Sequence, residues 1–287
     1  MKTLILIFAV LLAGVQARAQ FFTGPISSAT GGAGRAALDP SEAGLLNPAS
    51  VAHLNTYNIS GSYGLGHHDK DGDFKQWSIL ASDGSEGASF PGALSYVRRT
   101  VEPLRGGVKN TQSDIQLSLA ELMGERIAFG VSAHRRSDEL SSGQDHVQYN
   151  GHLGLLVTPL DFLGIGIVAY DIVPASDSVP ESVRVVPTFA LGSNLIIQKI
   201  LHFRLDLVRP DKFNPGRRTD VMVGIDSYFR PDFAMRVGGL FKETEDRTFF
   251  TAGLGYKGPK LSFDYTFQKD VRVADSYRHL FDLWLPF

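Results

Sequence analysis

The strongest constraint on this chain is a two-residue alternation that returns along most of its length. From Ile115, the residues Ile115, Leu117 and Leu119 point one way and Gln116, Ser118 and Ala120 the other. That is the period of a strand with one apolar face. In "DHVQYNGHLGLLV" the apolar set is Val147, Tyr149, Leu153, Leu155 and Val157, set against His146, Gln148, Asn150 and His152. In "KILHFRLDLV" it is Leu201, Phe203, Leu205 and Leu207, against His202, Arg204 and Asp206. A soluble sandwich also alternates, but its wet face usually carries Lys, Glu and Thr. Here the polar side carries glycine, His, Asn and isolated ion pairs, which reads as the lining of a lumen.

About fourteen such segments can be marked: 57–66, 74–82, 89–100, 112–121, 126–136, 145–157, 162–171, 183–195, 200–208, 219–229, 233–242, 247–256, 260–269 and 277–287. The fold class expected is all-β, a transmembrane antiparallel β-barrel of about fourteen strands with an amino-terminal hatch in the lumen. The connections agree. "LMGE", "TPLD", "RPD" and "KGPK" are tight and follow even-numbered strands, whereas "LRGGVKNT", "SDELSSGQ", "VPASDSVPES" and "RPDKFNPGRR" are longer and follow odd-numbered ones. Short periplasmic turns alternating with longer outer loops is the asymmetry of bacterial barrels. "DGSEGA" and "TEDR" depart from it.

Composition enters as an exclusion. With 43% hydrophobic residues, 30 glycines, 20% charged residues and a net charge of -2, the chain is neither disordered nor a helical membrane protein, and a nucleic-acid partner is disfavoured. There is no cysteine, hence no disulfide framework, thiolate metal site or lipidated cysteine. The start, "MKTLILIFAVLLAGVQARAQ", pairs Lys2 with an apolar run from Leu4 to Val15 and small residues at Ala17 and Ala19. It reads as a signal peptide over 1–19, with an uncleaved anchor as the alternative.

Residues 20–56 lack a strand period and are too few for a domain. They are expected to fold as a plug in the lumen of the barrel formed by 57–287, closing a ring too wide for wall side chains alone to fill. Asp39 is expected to cap a short helix beginning at Pro40, and Asn47-Pro48 to end it, the Asn47 amide bonding the turn that it starts. A periplasmic linker is the plainer reading.

Within this segment Gly31, Gly32, Ala33, Gly34, Asp39, Asn47, Pro48, Ala49 and Val51 follow a pattern of glycine and alanine, then Asp, a spacer, and Asn-Pro-Ala before an apolar residue. The pattern resembles the amino-terminal hatch motif of the FadL-like outer-membrane transporter superfamily, which includes the PorV/PorQ branch. The resemblance implies passive uptake of a small hydrophobic ligand of the fatty-acid or hydrocarbon class across the outer membrane of a Gram-negative bacterium. It implies neither enzyme activity nor a cofactor. In the PorV-like branch it implies instead a scaffold or shuttle for surface-secreted proteins. The chain is short for a fatty-acid transporter, and its loops lack long apolar insertions. The family's side exit at a third-strand kink draws attention to Pro91 and Gly92, which also suit the start of that strand.

The carboxyl-terminal "YRHLFDLWLPF" sets Tyr277, His279, Phe281, Leu283, Leu285 and Phe287 on one face. It resembles the signal recognised by the barrel-assembly machinery, and it also suits any last strand. Three other groups are open to chemistry. His67, His68, Asp69, Asp71 and Asp73 could ligate a divalent cation, but their order departs from an EF-hand and suits a hairpin loop better. His134, His146, Asn150 and His152 have no nucleophile motif beside them and read as lumen residues. Arg209, Lys212, Arg217 and Arg218, with Asp211, suit either a solvated loop or contact with lipopolysaccharide phosphates.

Overall fold

A computed structural model describes residues 24–68, 72–102, 109–140, 143–176, 178–181, 183–210, 219–230 and 232–287. The alternating segments become β1 (Tyr57–His68), β2 (Gly72–Asp83), β3 (Gly92–Glu102), β4 (Asn110–Leu122), β5 (Ile127–Leu140), β6 (Gln144–Leu160) and β7 (Leu163–Tyr170). They continue as β8 (Thr188–Ile197), β9 (Leu201–Pro210), β10 (Asp220–Arg230), β11 (Phe233–Lys242), β12 (Arg247–Lys257), β13 (Ser262–Asp270) and β14 (Ser276–Pro286). Each strand pairs antiparallel with its sequence neighbours, and β1 pairs with β14 from Asn58↔Pro286 to His68↔Ser276, so the sheet closes into a barrel. Closure gives every backbone group inside a bilayer a partner, which an open sheet could not do.

The alternation sorts the side chains as the sequence requires. Ile79, Leu117, Phe129, Leu205, Val237 and Leu254 face outward and are exposed, while Gln112, Asp114, Gln116 and Ser118 face the lumen and are buried. The protein is a membrane β-barrel. Among the described residues no helix is long and apolar enough to cross a membrane. Both Tyr57 and Phe287 lie at the end that carries the short turns, where the Phe287 N–H donates to the Tyr57 carbonyl at 2.9 Å. We call this the turn end and the other the loop end.

Two expectations need correction. The eighth strand begins at Thr188 rather than 183, although Val183 and Val185 do alternate. Their backbone is bonded by one side chain instead of a strand: Gln148 donates to the Val183 carbonyl at 2.9 Å and accepts from the Val185 N–H at 3.1 Å. Pro187, which has no N–H, separates this stretch from the ladder. In the third strand, Pro91 stands one residue before β3, and the pairing from Gly92 onward runs without a register shift on both sides. The pair therefore starts the strand, and no register shift marks a kink in it.

Candidate functional site

The lumen is filled by residues 24–56, among which only Leu38 and Asn55 are exposed. This plug contains α1 (Pro25–Ala29), α2 (Ala43–Leu46) and a 3₁₀ helix (Pro48–His53). Such short helices are not stable alone, so the wall must hold them.

Glycine makes the fit possible on both partners. Gly31 and Gly32 have φ of 71° and 91°, a conformation that side chains disfavour. A Cβ on Gly31 would meet the Gly239 carbonyl at 2.4 Å, and one on Gly238 of β11 would meet the Gly31 nitrogen at 2.3 Å. Gly34 donates its N–H to Asp206 at 2.9 Å. The lumen side chains of β12 and β13 then complete the backbone bonds of the helix: Thr251 donates to Ala29, Thr266 to Pro25 and Gln268 to Ser28, at 2.9, 2.6 and 3.0 Å.

Charge fixes the same flank. Arg35, wholly buried, pairs with Asp206 of β9 at 2.8 Å. Asp39 pairs with Arg204 at 2.5 Å, Arg204 with Asp226 at 2.9 Å, Asp226 with Arg236 at 3.3 Å, and Arg236 with Asp264 at 2.5 Å. Burial works against the charged form of Asp39, but Arg204 outweighs it and holds that carboxyl below the usual carboxylate range. Asp39 is therefore an ion-pair partner and not a helix cap; α2 starts at Ala43, and no side chain caps it. Glu42 accepts from the Ile26 N–H at 2.7 Å and the Ser27 N–H at 3.1 Å, tying α2 to the start of α1. Burial, with the Asp39 charge acting the same way, pushes the Glu42 carboxyl up to about 7.

The other flank is mostly apolar. Ala43, Ala49, Val51 and Ala52 pack with Ala93, Ala120, Ala128 and Leu156 of β3 to β6. Asn47 accepts from the Ala49 N–H at 3.1 Å, as its position in the sequence suggests, and donates to the Arg35 and Leu155 carbonyls at 2.9 and 3.2 Å. A Cβ on Gly154 would meet the Asn47 Oδ1 at 2.2 Å, and one on Gly130 the Ala49 nitrogen at 2.3 Å. Pro48 begins the 3₁₀ helix.

An apolar cluster and a cavity flank the plug. Towards the loop end, Ala33 meets an apolar cluster of Val168, Tyr170, Ala190, Val208, Met222, Leu240 and Phe249 on β7 to β12. Towards the turn end lies a cavity of about 430 Å³, whose lining includes Ala36, Leu156, Leu163, Ile196, Arg204 and Lys199. Ala36 and Leu156 belong both to this cavity and to the apolar flank.

The remaining candidates are spread over the structure. His67 is bonded to Asp73 at 2.6 Å beside the first hairpin, and Asp69 and Asp71 lie outside the described residues. His134 has both ring nitrogens bonded to carboxylates, Asp114 at 2.8 Å and Asp171 at 2.9 Å. His152 accepts the Asp171 N–H at 3.0 Å, and Asn150 holds Val173 through two bonds. His134, His152 and Asp171 are close enough to share a cation, yet the ring nitrogens engaged this way pin the segment after β7 to the wall. His146 is half-buried on β6. Arg209 faces outward near the end of β9, and Asp211, Lys212, Arg217 and Arg218 lie outside the described residues. Tyr277, Phe281, Leu283 and Leu285 occupy the outward face of β14, and Phe287 follows it with its ring 5.6 Å from that of Tyr57.

Sequence reasoning missed Arg35, Glu42 and the Arg204–Asp264 chain. Its available signals were the charges alternating on polar strand faces and the glycines standing where lumen side chains were due.

No protein-family model matches the sequence, and no curated relative matches it. Solved structures do match in fold. The "CymD monoaromatic hydrocarbon channel" aligns over 92% of this chain and 97% of its own, with a TM-score of 0.75 and 12% identity. The toluene transporter TbuX of Ralstonia pickettii aligns over 95% and 98%, with a TM-score of 0.69 and 12% identity. A FadL homologue of Pseudomonas aeruginosa aligns over 92% and 98%, with a TM-score of 0.59 and 13% identity. The chain thus has the fold of the FadL-like channels.

Proposed function

We propose that this barrel moves small hydrophobic compounds passively inward across the outer membrane of a Gram-negative bacterium, its turn end in the periplasm. The observation that carries this reading is the apolar cluster resting on the plug at Ala33. A barrel lumen is ordinarily polar, and closure of the wall gives no reason for seven apolar side chains there. A hydrophobic compound bound among them gains about 25 cal/mol for each Å² taken out of water. The likeness to hydrocarbon channels supports the same ligand class.

The route then follows chemistry. Parting the plug from β9 to β13 would strand buried charges, at about 3 to 5 kcal/mol for a broken pair. Parting it from β3 to β6 exposes mainly alanine and valine, which the ligand itself covers. The compound passes along that flank, by Ala36 and Leu156, and enters the turn-end cavity.

Uptake of labelled toluene into proteoliposomes tests the proposal. Wild type should exceed empty vesicles, and Val208→Asp with Leu240→Gln should abolish the excess while leaving heat-modifiable gel migration unchanged. Wild-type uptake at the empty-vesicle rate would sink the transport reading and return the barrel to the class of secretion scaffolds.

A further inference from the structure

The outward face of the wall changes from apolar to polar along one line across β2 to β5, towards the loop end. On β2, Ile79 and Trp77 give way to Lys75; on β3, Leu94 and Tyr96 to Arg98; on β4, Leu117 and Ile115 to Ser113; on β5, Val131 and Ala133 to Arg135. Register brings these together, since Trp77 is opposite Arg98, Arg98 opposite Ser113, and Arg135 opposite both Ile115 and Tyr149. Arg98, Arg135 and Lys75 are exposed on this face. Their cross-strand neighbours are hydroxyls, aliphatic side chains and aromatic rings, with Thr100 and Thr111 joined at 3.4 Å just beyond. Of the outward carboxylates nearest the loops, Asp73 is engaged with His67 and Glu102 with Lys109, while Glu139 and Asp145 face each other on β5 and β6, beyond Arg135 towards the loop end.

Guanidinium groups at the edge of an apolar band must meet something anionic or reach water. Two of them, two strands and two residues of register and therefore about 12 Å apart, among hydroxyls and above an aromatic row, fit phosphate groups held at the membrane surface. We propose that the loop-end outer face of β2 to β5 binds a lipid bearing two separated phosphates, the lipid A portion of lipopolysaccharide. Arg98 and Arg135 each take one phosphate, Ser113 and Thr100 add hydrogen bonds, and Trp77, Tyr96 and Tyr149 pack on the first part of the acyl chains. The assignment rests on the orientation given under the proposed function, because lipid A occupies only the leaflet that the loop end would face.

Native mass spectrometry of the detergent-purified barrel with added lipid A tests it. Wild type should retain lipid A, and Arg98→Ser with Arg135→Ser should retain at least fivefold less. Arg209→Ser, which removes an outward cation from the opposite wall, should match wild type, and lipid A stripped of phosphate should not be retained. Equal retention by the double variant, or equal retention of phosphatidylglycerol by wild type, would overturn the assignment. The assay does not depend on transport: toluene uptake that fails while lipid A stays bound would contradict the transport reading alone.

Discussion

Where α1 and the residues after it meet β9 to β14, the plug is held by ion pairs, glycine contacts and side chains that complete its backbone bonds. Where α2 and the 3₁₀ helix meet β3 to β6, it is held by alanine and valine, by the amide of Asn47, and by Gln116 and Ser118 donating to the Gly44 carbonyl at 2.7 and 2.9 Å. The first flank is costly to open because it leaves charges without partners in a low-dielectric interior. The second costs mainly apolar area, which a hydrophobic ligand can replace. In the proposed route the first flank is the anchor and the second is the one that yields.

Removing the anchor should have the largest effect. Arg204→Ala leaves Asp39 and Asp226 without their shared cation, at about 3 to 5 kcal/mol. The barrel should persist because its strands remain paired, while the plug becomes accessible to protease and planar-bilayer conductance rises sharply. Conductance equal to wild type would mean that the ionic flank is not the anchor.

Glu42 makes a related, titratable contribution. Its carboxyl is raised by burial from an ordinary value of 4.5 to about 7. A raised carboxylic acid favours the docked plug fully below the undocked value and loses that contribution as pH rises through the docked one. The Glu42 contribution to plug retention should therefore be greatest below about pH 4.5, fall by about 3 kcal/mol up to about pH 7, and then level off. Hydrogen exchange of α1 between pH 4 and 8 reads this, and Glu42→Gln should flatten the profile. A wild-type profile that is already flat would remove Glu42 from the anchor.

The yielding flank should respond less. Asn47→Ala leaves the Ala49 N–H and the Arg35 carbonyl short of a partner, at about 1 to 3 kcal/mol, and should raise small-ion leak without releasing α1. Val51→Ala removes two methyl-sized groups from the seam, about 1.5 kcal/mol, and should slightly speed hydrophobic uptake with little leak. A leak from Val51→Ala as large as that from Arg204→Ala would erase the distinction between the flanks.

Most of the wall was legible because a two-residue period survives wherever one face meets lipid. It misled at Val183 and Val185, where apolar residues alternate in a segment bonded by Gln148 rather than by a strand. The plug was legible as a segment without that period, and Asn47 as the residue bonding its own turn. The partners of Asp39 and Arg35 were not, because Arg204 and Asp206 lie 165 and 171 residues away in sequence and only barrel closure brings them near. Asp39 therefore looked like a helix cap, the nearest local use for such a side chain. The apolar cluster at Ala33 was hidden for the same reason, since six strands contribute to it.

The absence of native cysteine permits a direct test of which flank moves. A Cβ on Gly44 would lie 2.7 Å from that of Ala93 on the β3 side, and a Cβ on Gly253 would lie 2.5 Å from that of Ala29 on the β12 side. Both pairs need a small shift to reach disulfide geometry, so each controls for the other. Toluene uptake would be measured for Gly44→Cys with Ala93→Cys and for Ala29→Cys with Gly253→Cys, oxidised and then reduced. The account predicts that the first cross-link stops uptake until it is reduced and that the second leaves uptake near wild type. Uptake that survives the first cross-link but not the second would place the moving flank on the wrong side of the plug and contradict the account.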